Sequence, residues 1–347
     1  MGAIVGGVRG GSGVARRRFA VRSCLALVVA VVASSCVPTS PGPSVLPQGP
    51  GRGKDDSVRV APSSGCDSGA QAALGRTRLR ITTAQGERSA LLDVPASASG
   101  GAPAPLLLSL HPFSVGGAEW DGYSGMAAAA TARGYVVLTP QGSEPGPRWA
   151  VPGGLATGAD DLGFLSAAMD LVEDIACIDR NREFAVGFSA GAAMAQALSC
   201  TMPWRVAAVA ASGGANLTEL CPDAPPTDVM VLHGTADPIA PVTGSYVVFA
   251  PPLGLALDRV VATNAARAGC APEPLTSRPS PSIELARYEG CDDGVRVEHW
   301  SLLGAGHTWA GAEPGLDLLL GPTNREVSAT EQALDFFDRS GSTGEPT

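Results

Sequence analysis

Gly187-Phe188-Ser189-Ala190-Gly191 sets a serine among small residues, the spacing of a nucleophile held on a sharp turn. So short a motif also arises by chance, so its partners and its context have to carry the reading. A serine hydroxyl is not nucleophilic at its own pKa and needs a base. The chain has four histidines, His111, His233, His299 and His307. His307 stands in Gly304-Ala305-Gly306-His307-Thr308-Trp309, just after the apolar stretch Val297–Leu303, and is the expected base. His299 lies inside that stretch and reads as structural. His233 ends another strand and reads as packing or loop support. An imidazole base needs a carboxylate to orient it and to stabilise its charged form. Asp237 suits, because it follows the strand Val229–Leu232 and Pro238 disfavours helical geometry there. Asp228 precedes that strand, at the wrong end, and Asp292-Asp293 read as a solvated turn.

The chemistry of such a set is acyl transfer, which also needs donors for a developing oxyanion. Ala190, next after the serine, offers one backbone N–H. The other is expected from the loop His111-Pro112-Phe113-Ser114-Val115-Gly116-Gly117. Pro112 has no N–H, which leaves Phe113. His111 is expected to brace this loop rather than move protons. Trp149 and Trp309 are candidates for lining a substrate cleft, with core or rim packing the equal alternative.

These side chains must be carried by strands and helices. Phe184–Val186 reads as the strand entering the serine turn, and Ala190–Leu198 as the helix leaving it. Leu106–Leu110, Tyr135–Leu138, Val206–Ala211 and Val229–Leu232 are short apolar runs typical of strands buried on both faces. Helical stretches run over Ala118–Arg133, from Asp160-Asp161 to about Ile175, over Leu255–Ala268 and over Glu326–Asp338. Thr77–Thr82 and Ser89–Val94 read as an antiparallel edge. Strand and helix alternate from Leu106 onward, so the predicted class is α/β: a mostly parallel sheet of about eight strands with helices on both faces. The chain order Ser189, Asp237, His307 is the α/β-hydrolase order.

The 347 residues are 45% hydrophobic and 16% charged, enough for a large core and too apolar for wholesale disorder. Net charge is −9, and five arginines fall in the first 35 residues without an acid. The remainder is therefore more acidic still, which argues against a nucleic-acid partner. Arg16, Arg17, Arg18 and Arg22 precede an apolar run Leu25–Ala33, a signal-peptide pattern. The run is too short to span a bilayer. Ala33-Ser34-Ser35-Cys36 resembles a lipobox, which makes Cys36 the lipidation candidate. Arg16-Arg17 also resembles a twin-arginine signal, and the export route stays open. The expected divisions are a signal over 1–35, a Pro/Gly/Ser-rich tether over 36–65, one catalytic domain over 66–340 and a disordered tail over 341–347. Cys66, Cys177, Cys200, Cys221, Cys270 and Cys291 remain for the domain, an even number that reads as disulfides in an exported protein. Six cysteines allow 15 pairings. The expected set is Cys270–Cys291 and Cys200–Cys221, each flanking a compact segment, with Cys66–Cys177 left over. No Cys-x-x-Cys pair supports a zinc site, and no metal or cofactor is expected.

Taken together, Leu110-His111, Pro140-Gln141-Gly142, Asp160-Asp161-Leu162-Gly163-Phe164, Cys177-Ile178-Asp179-Arg180-Asn181-Arg182, the turn at Ser189, His233-Gly234-Thr235-Ala236-Asp237 and Gly306-His307-Thr308-Trp309 resemble the exported polyhydroxybutyrate depolymerase and feruloyl/acetylxylan esterase group, akin to carbohydrate esterase family 1. The likeness covers most of 76–338. It implies an α/β-hydrolase fold, a Ser–Asp–His esterase and the Cys270–Cys291 bridge. Where that group has His-Gly, this chain has His111-Pro112, a stiffer oxyanion loop. The expected partner is an ester, polymeric or small, with membrane contact only through Cys36 and a monomeric state. Two other readings stand beside it: a non-catalytic binding lipoprotein on the same fold, and a serine peptidase.

Overall fold

The computed structural model describes residues 60–67, 72–154, 158–246, 252–313 and 317–340. The expected signal, Cys36, the greater part of the tether and the 341–347 tail lie outside them. The described residues belong to one compact unit.

In chain order the elements are β1 (Gly75–Thr83), β2 (Gly86–Val94), β3 (Ala104–Leu110), α1 (Gly117–Ser124), α2 (Met126–Ala132), β4 (Val136–Pro140), α3 (Asp161–Ile175), β5 (Ile178–Phe188), α4 (Ala190–Thr201), β6 (Ala208–Ser212) and β7 (Asp228–Gly234). Then follow the short ribbon β8 (Ser245–Tyr246) and β9 (Pro252–Leu253), α5 (Leu257–Arg267), β10 (Leu275–Ser280), β11 (Ile283–Tyr288), β12 (Val297–Leu302), α6 (Asp317–Leu320) and α7 (Ala329–Ser340). The main sheet has ten strands in the order β1-β2-β4-β3-β5-β6-β7-β12-β11-β10. The stretch from β4 to β12 is parallel throughout, and both outer pairs are antiparallel.

Helices cover both faces, which explains the unbroken apolar runs. Leu106, Leu108 and Leu110 of β3 face the layer of α3, α4 and α5. Leu107 faces the opposite layer, with Trp120 of α1, Met126 of α2 and Phe336 and Phe337 of α7. A strand sandwiched in this way has no polar face, so its sequence does not alternate.

Three differences from the sequence reading have local causes. The expected helix Ala118–Arg133 is two helices, broken at Gly125, whose φ of 65° ends α1 in the left-handed region. The sheet exceeds the expected eight or so strands because β10 and β11 escaped notice. β10 is solvent-facing along nearly all its length and contains Pro279, so it lacks both an apolar run and an alternation. The chain is also fastened to the domain before Cys66. Asn181 Oδ1 accepts the Val60 N–H at 2.9 Å, and Ser63 Oγ donates to Ala176 O while accepting the Ile178 N–H. Disulfides join Cys66 to Cys177, Cys200 to Cys221 and Cys270 to Cys291.

Strand order reverses beside β3: the chain goes from β3 to β4 on one side, then to β5 on the other. In open α/β sheets the crevice beyond the carboxyl ends at such a switch point is where ligands bind. Here those two ends carry the loop at His111 and the turn at Ser189.

Candidate active site

Ser189 sits between β5 and α4 with φ 55° and ψ −118°. That conformation is strained for a residue with a side chain and persists only where the surroundings enforce it. Two surrounding features do so here. The Ser189 N–H donates to Ser212 O at the end of β6. The glycines on either side let α4 turn back against β5 and β3: a Cβ on Gly187 would strike Gly191 O, and one on Gly191 the carbonyls that end β3. The serine is thereby lifted above the carboxyl edge of the sheet.

His307 and Asp237 arrive from two loops that hydrogen-bond to each other. The Thr235 N–H donates to Leu302 O, the Ala236 N–H to Ala305 O, and the Gly304 N–H to Thr235 Oγ1. His307 is further held by its N–H on Leu320 O at 2.6 Å and by the Phe188 ring, centred 4.9 Å from the imidazole. Its Nδ1 lies 2.7 Å from Asp237 Oδ2, and its Nε2 lies 2.9 Å from Ser189 Oγ. Hydroxyl, imidazole and carboxylate thus form one hydrogen-bonded chain. Asp237 is fully buried at its side chain. Burial disfavours its charge, but the His233 ring 3.4 Å away and hydrogen bonds from His307 and from the Ala240 N–H outweigh it and hold the carboxyl well below the usual carboxylate range. An ionised Asp237 accepts the Nδ1 proton, which leaves the Nε2 lone pair directed at the serine hydroxyl.

His111 is fully buried, and both its ring nitrogens are engaged. Nε2 accepts the Gly142 N–H at 2.8 Å, so Nδ1 carries the proton and donates to Pro112 O at 2.9 Å. Burial pushes its pKa down to about 4, which keeps this tautomer neutral. Pro112 O also receives the Val115 N–H. In a trans peptide the C=O and N–H point opposite ways. With Pro112 O turned in to His111, the Phe113 N–H points away from it, and it donates to no acceptor among the described residues. The Phe113 ring is 58% exposed.

Trp149 and Trp309 do not line a cleft. They are 2% and 1% exposed. Trp149 stacks on His111 and donates its Nε1–H to His111 O. Trp309 packs edge-on to Trp120, near Phe188, and bonds Thr330 Oγ1. Both are supports, one under the His111 loop and one beneath Phe188. The sequence reading also missed the second histidine at the carboxylate, since Asp237 Oδ2 lies 3.4 Å from His233 Nε2. Its only sequence signal was a histidine directly at a strand end.

The Asp160-Asp161 pair serves the same loop cluster. Asp160 Oδ1 accepts the Gly163 N–H and caps α3. Buried Asp161 pairs with Arg88 at 2.8 Å and accepts the Ala150 N–H at 2.7 Å, beside Trp149. Arg88 also donates to Gln141 O, and Gln141 Oε1 accepts the Gly117 N–H. These bonds tie β2, α3 and the turn after β4 to the start of α1 and to the segment at Ala150.

No family model matches the chain. Among curated proteins, "Putative esterase NocK" of Nocardia uniformis subsp. tsuyamanensis is 31% identical over 347 residues, covering 91% of this chain and 97% of that protein. Feruloyl esterase D of Neurospora crassa is 29% identical, covering 81% of this chain and 91% of the relative. Feruloyl esterase B of Piromyces equi is also 29% identical, but the chain spans only 45% of its length. Among solved structures, an acetyl xylan esterase from Aspergillus awamori superposes with a TM-score of 0.51 over 67% of this chain and 94% of that one. At 15% identity that likeness concerns the fold.

Proposed function

Because the chain belongs to the esterases of the α/β-hydrolase superfamily, we propose that it cleaves carboxylic esters through an acyl-enzyme on Ser189, with His307 as base and Asp237 as its orienting acid. In this reading Nε2 of His307 takes the hydroxyl proton as Oγ attacks the ester carbonyl. The oxyanion is held by the N–H groups of Ala190 and Phe113. The imidazolium, stabilised by Asp237, then protonates the departing alcohol. Water, deprotonated by His307, hydrolyses the acyl-enzyme and frees the acid.

The observation that carries this reading is the unbroken pair of contacts at His307, 2.7 Å to Asp237 and 2.9 Å to Ser189. The Phe113 N–H in the neighbouring loop, without an acceptor among the described residues, fits the same chemistry. The substrate class we favour is a feruloyl or acetyl ester of a polysaccharide, in keeping with the names of the relatives; a polyhydroxyalkanoate-type polyester is the other member of the class. Export, with a lipid anchor at Cys36, fits the basic and apolar amino terminus and the three disulfides.

The test is hydrolysis of p-nitrophenyl acetate by the native protein and by Ser189→Ala, with labelling by a fluorophosphonate probe. Activity and labelling are expected in the first and absent in the second. Full activity in Ser189→Ala overturns the assignment. A panel of methyl ferulate, acetylated xylan and polyhydroxybutyrate then separates the substrates.

A further inference from the structure

The acid of the triad has a second imidazole against it that none of the steps above uses. His233, at the end of β7, has a fully buried side chain. Its Nε2 lies 2.7 Å from Ala240 O and 3.4 Å from Asp237 Oδ2. A carbonyl oxygen only accepts, so the short contact puts the proton on Nε2. Nδ1 is then a bare lone pair, and it has no hydrogen-bond partner among the described residues. A buried ring nitrogen left unpaired is unfavourable, and an aliphatic side chain in the same space would avoid it. The other nitrogen must therefore do something that packing alone does not require.

Its contacts form a closed ring. The Ala240 N–H donates to Asp237 Oδ1 at 2.8 Å, as does the Ile239 N–H. The His233 Nε2–H holds the carbonyl of the same Ala240 and faces the other oxygen of Asp237. The turn Asp237–Ala240 is gripped from both ends, and the carboxylate cannot rotate about its Cβ–Cγ bond without losing donors on both oxygens. Two prolines, Pro238 within the turn and Pro241 directly after it, supply no N–H of their own.

We propose that His233 is a positioning residue for the reaction. Through its Nε2–H it fixes the Asp237 carboxylate in the plane that accepts the His307 proton. This rests on the Ser189–His307–Asp237 reading.

The experiment uses the full chain and three variants, read by kcat and KM on p-nitrophenyl acetate. His233→Gln keeps an N–H close to the place of Nε2. His233→Asn places its amide near Nδ1, short of Ala240 O. His233→Leu has no donor. The expected result is kcat lower in the Leu and Asn variants by on the order of 10- to 100-fold, the effect of a small misplacement of a reacting group, with KM within about twofold. The Gln variant recovers most of the loss. Wild-type kcat in His233→Leu or His233→Asn overturns the proposal. Equal impairment of Gln, Asn and Leu, tracking their thermal midpoints, assigns His233 to packing only and also overturns it. Where His233→Leu fails to fold, the Gln and Asn pair decides by the same criteria. Ser189→Ala run alongside separates the two readings: if it retains activity, the underlying triad fails, whatever the His233 variants do.

Discussion

The α-carbon of Gly191 stands so close to the carbonyl of Leu110 that a Cβ built on it would lie 2.1 Å from that oxygen. The contact is between backbones, so no rotamer change relieves it. It brings the first turn of α4 against the end of β3, which sets the Ser189 elbow beside the His111 loop. Gly191→Ala is therefore expected to destabilise the domain by more than about 3 kcal/mol, among the largest effects of a single methyl. Thermal and urea unfolding measure it. An unchanged midpoint would show that the two backbones can separate freely.

At Phe113 the main chain is expected to matter more than the ring. Phe113→Pro removes the N–H and should lower kcat by roughly 10²- to 10³-fold, the usual loss of one oxyanion donor. Phe113→Ala keeps the donor and should leave kcat close to native, since it removes only an exposed side chain. Steady-state kinetics of both variants on one aryl ester provide the comparison. Similar kcat values in both would remove Phe113 from the oxyanion role.

Asp237→Asn preserves shape but presents an amide to His307. Its NH₂ group, or a reversed imidazole tautomer, takes the lone pair away from Ser189. A fall in kcat of about 10³- to 10⁴-fold is expected, with fluorophosphonate labelling slowed to match. The two Asp237 Oδ1 contacts survive in the amide, so a collapse of the fold would point to a structural rather than an orienting role.

Two histidines should shape the acid limb of stability. Burial pushes both His111 and His299 from an ordinary value of 6.5 down to about 4. The unfolded chain then binds protons that the native state refuses. Stability contributed by the neutral rings is complete above pH 6.5 and declines as pH falls toward 4. Asp237 behaves oppositely to a raised carboxyl: its depressed folded value gives stability that is present above the unfolded carboxylate range and is lost only at more acid pH. Urea melts of native protein and His111→Gln from pH 4 to 7.5 test the first point. The gap between the two curves should change across pH 4–6.5 and stay constant above it. A gap independent of pH rules the effect out.

Much of the candidate site is legible in the sequence. Strand-end loops bearing Ser189, Asp237 and His307 follow apolar runs that only a two-sided core explains, and the structure brings all three together. Strand β10 is not legible, because an exposed edge strand has no hydrophobic period to read, and β11 beside it offers only two buried apolar positions, Ile283 and Leu285. The sequence leaves Trp149 and Trp309 open between cleft and core for a related reason. An aromatic residue near a reactive loop has the same composition signal whether it faces a cleft or props the loop from beneath.

The residue types alone point to the chemistry proposed and to the end of the sheet that bears it, since both follow from local order along the chain. What the tertiary structure decided is orientation. The tautomer of His111 depends on Gly142, 31 positions away in the chain, and the alignment of the Asp237 carboxylate with the imidazole depends on His307, 70 positions away. Contacts between segments so far apart arise only when the sheet closes, and no local pattern encodes which atom of a ring will meet which carbonyl.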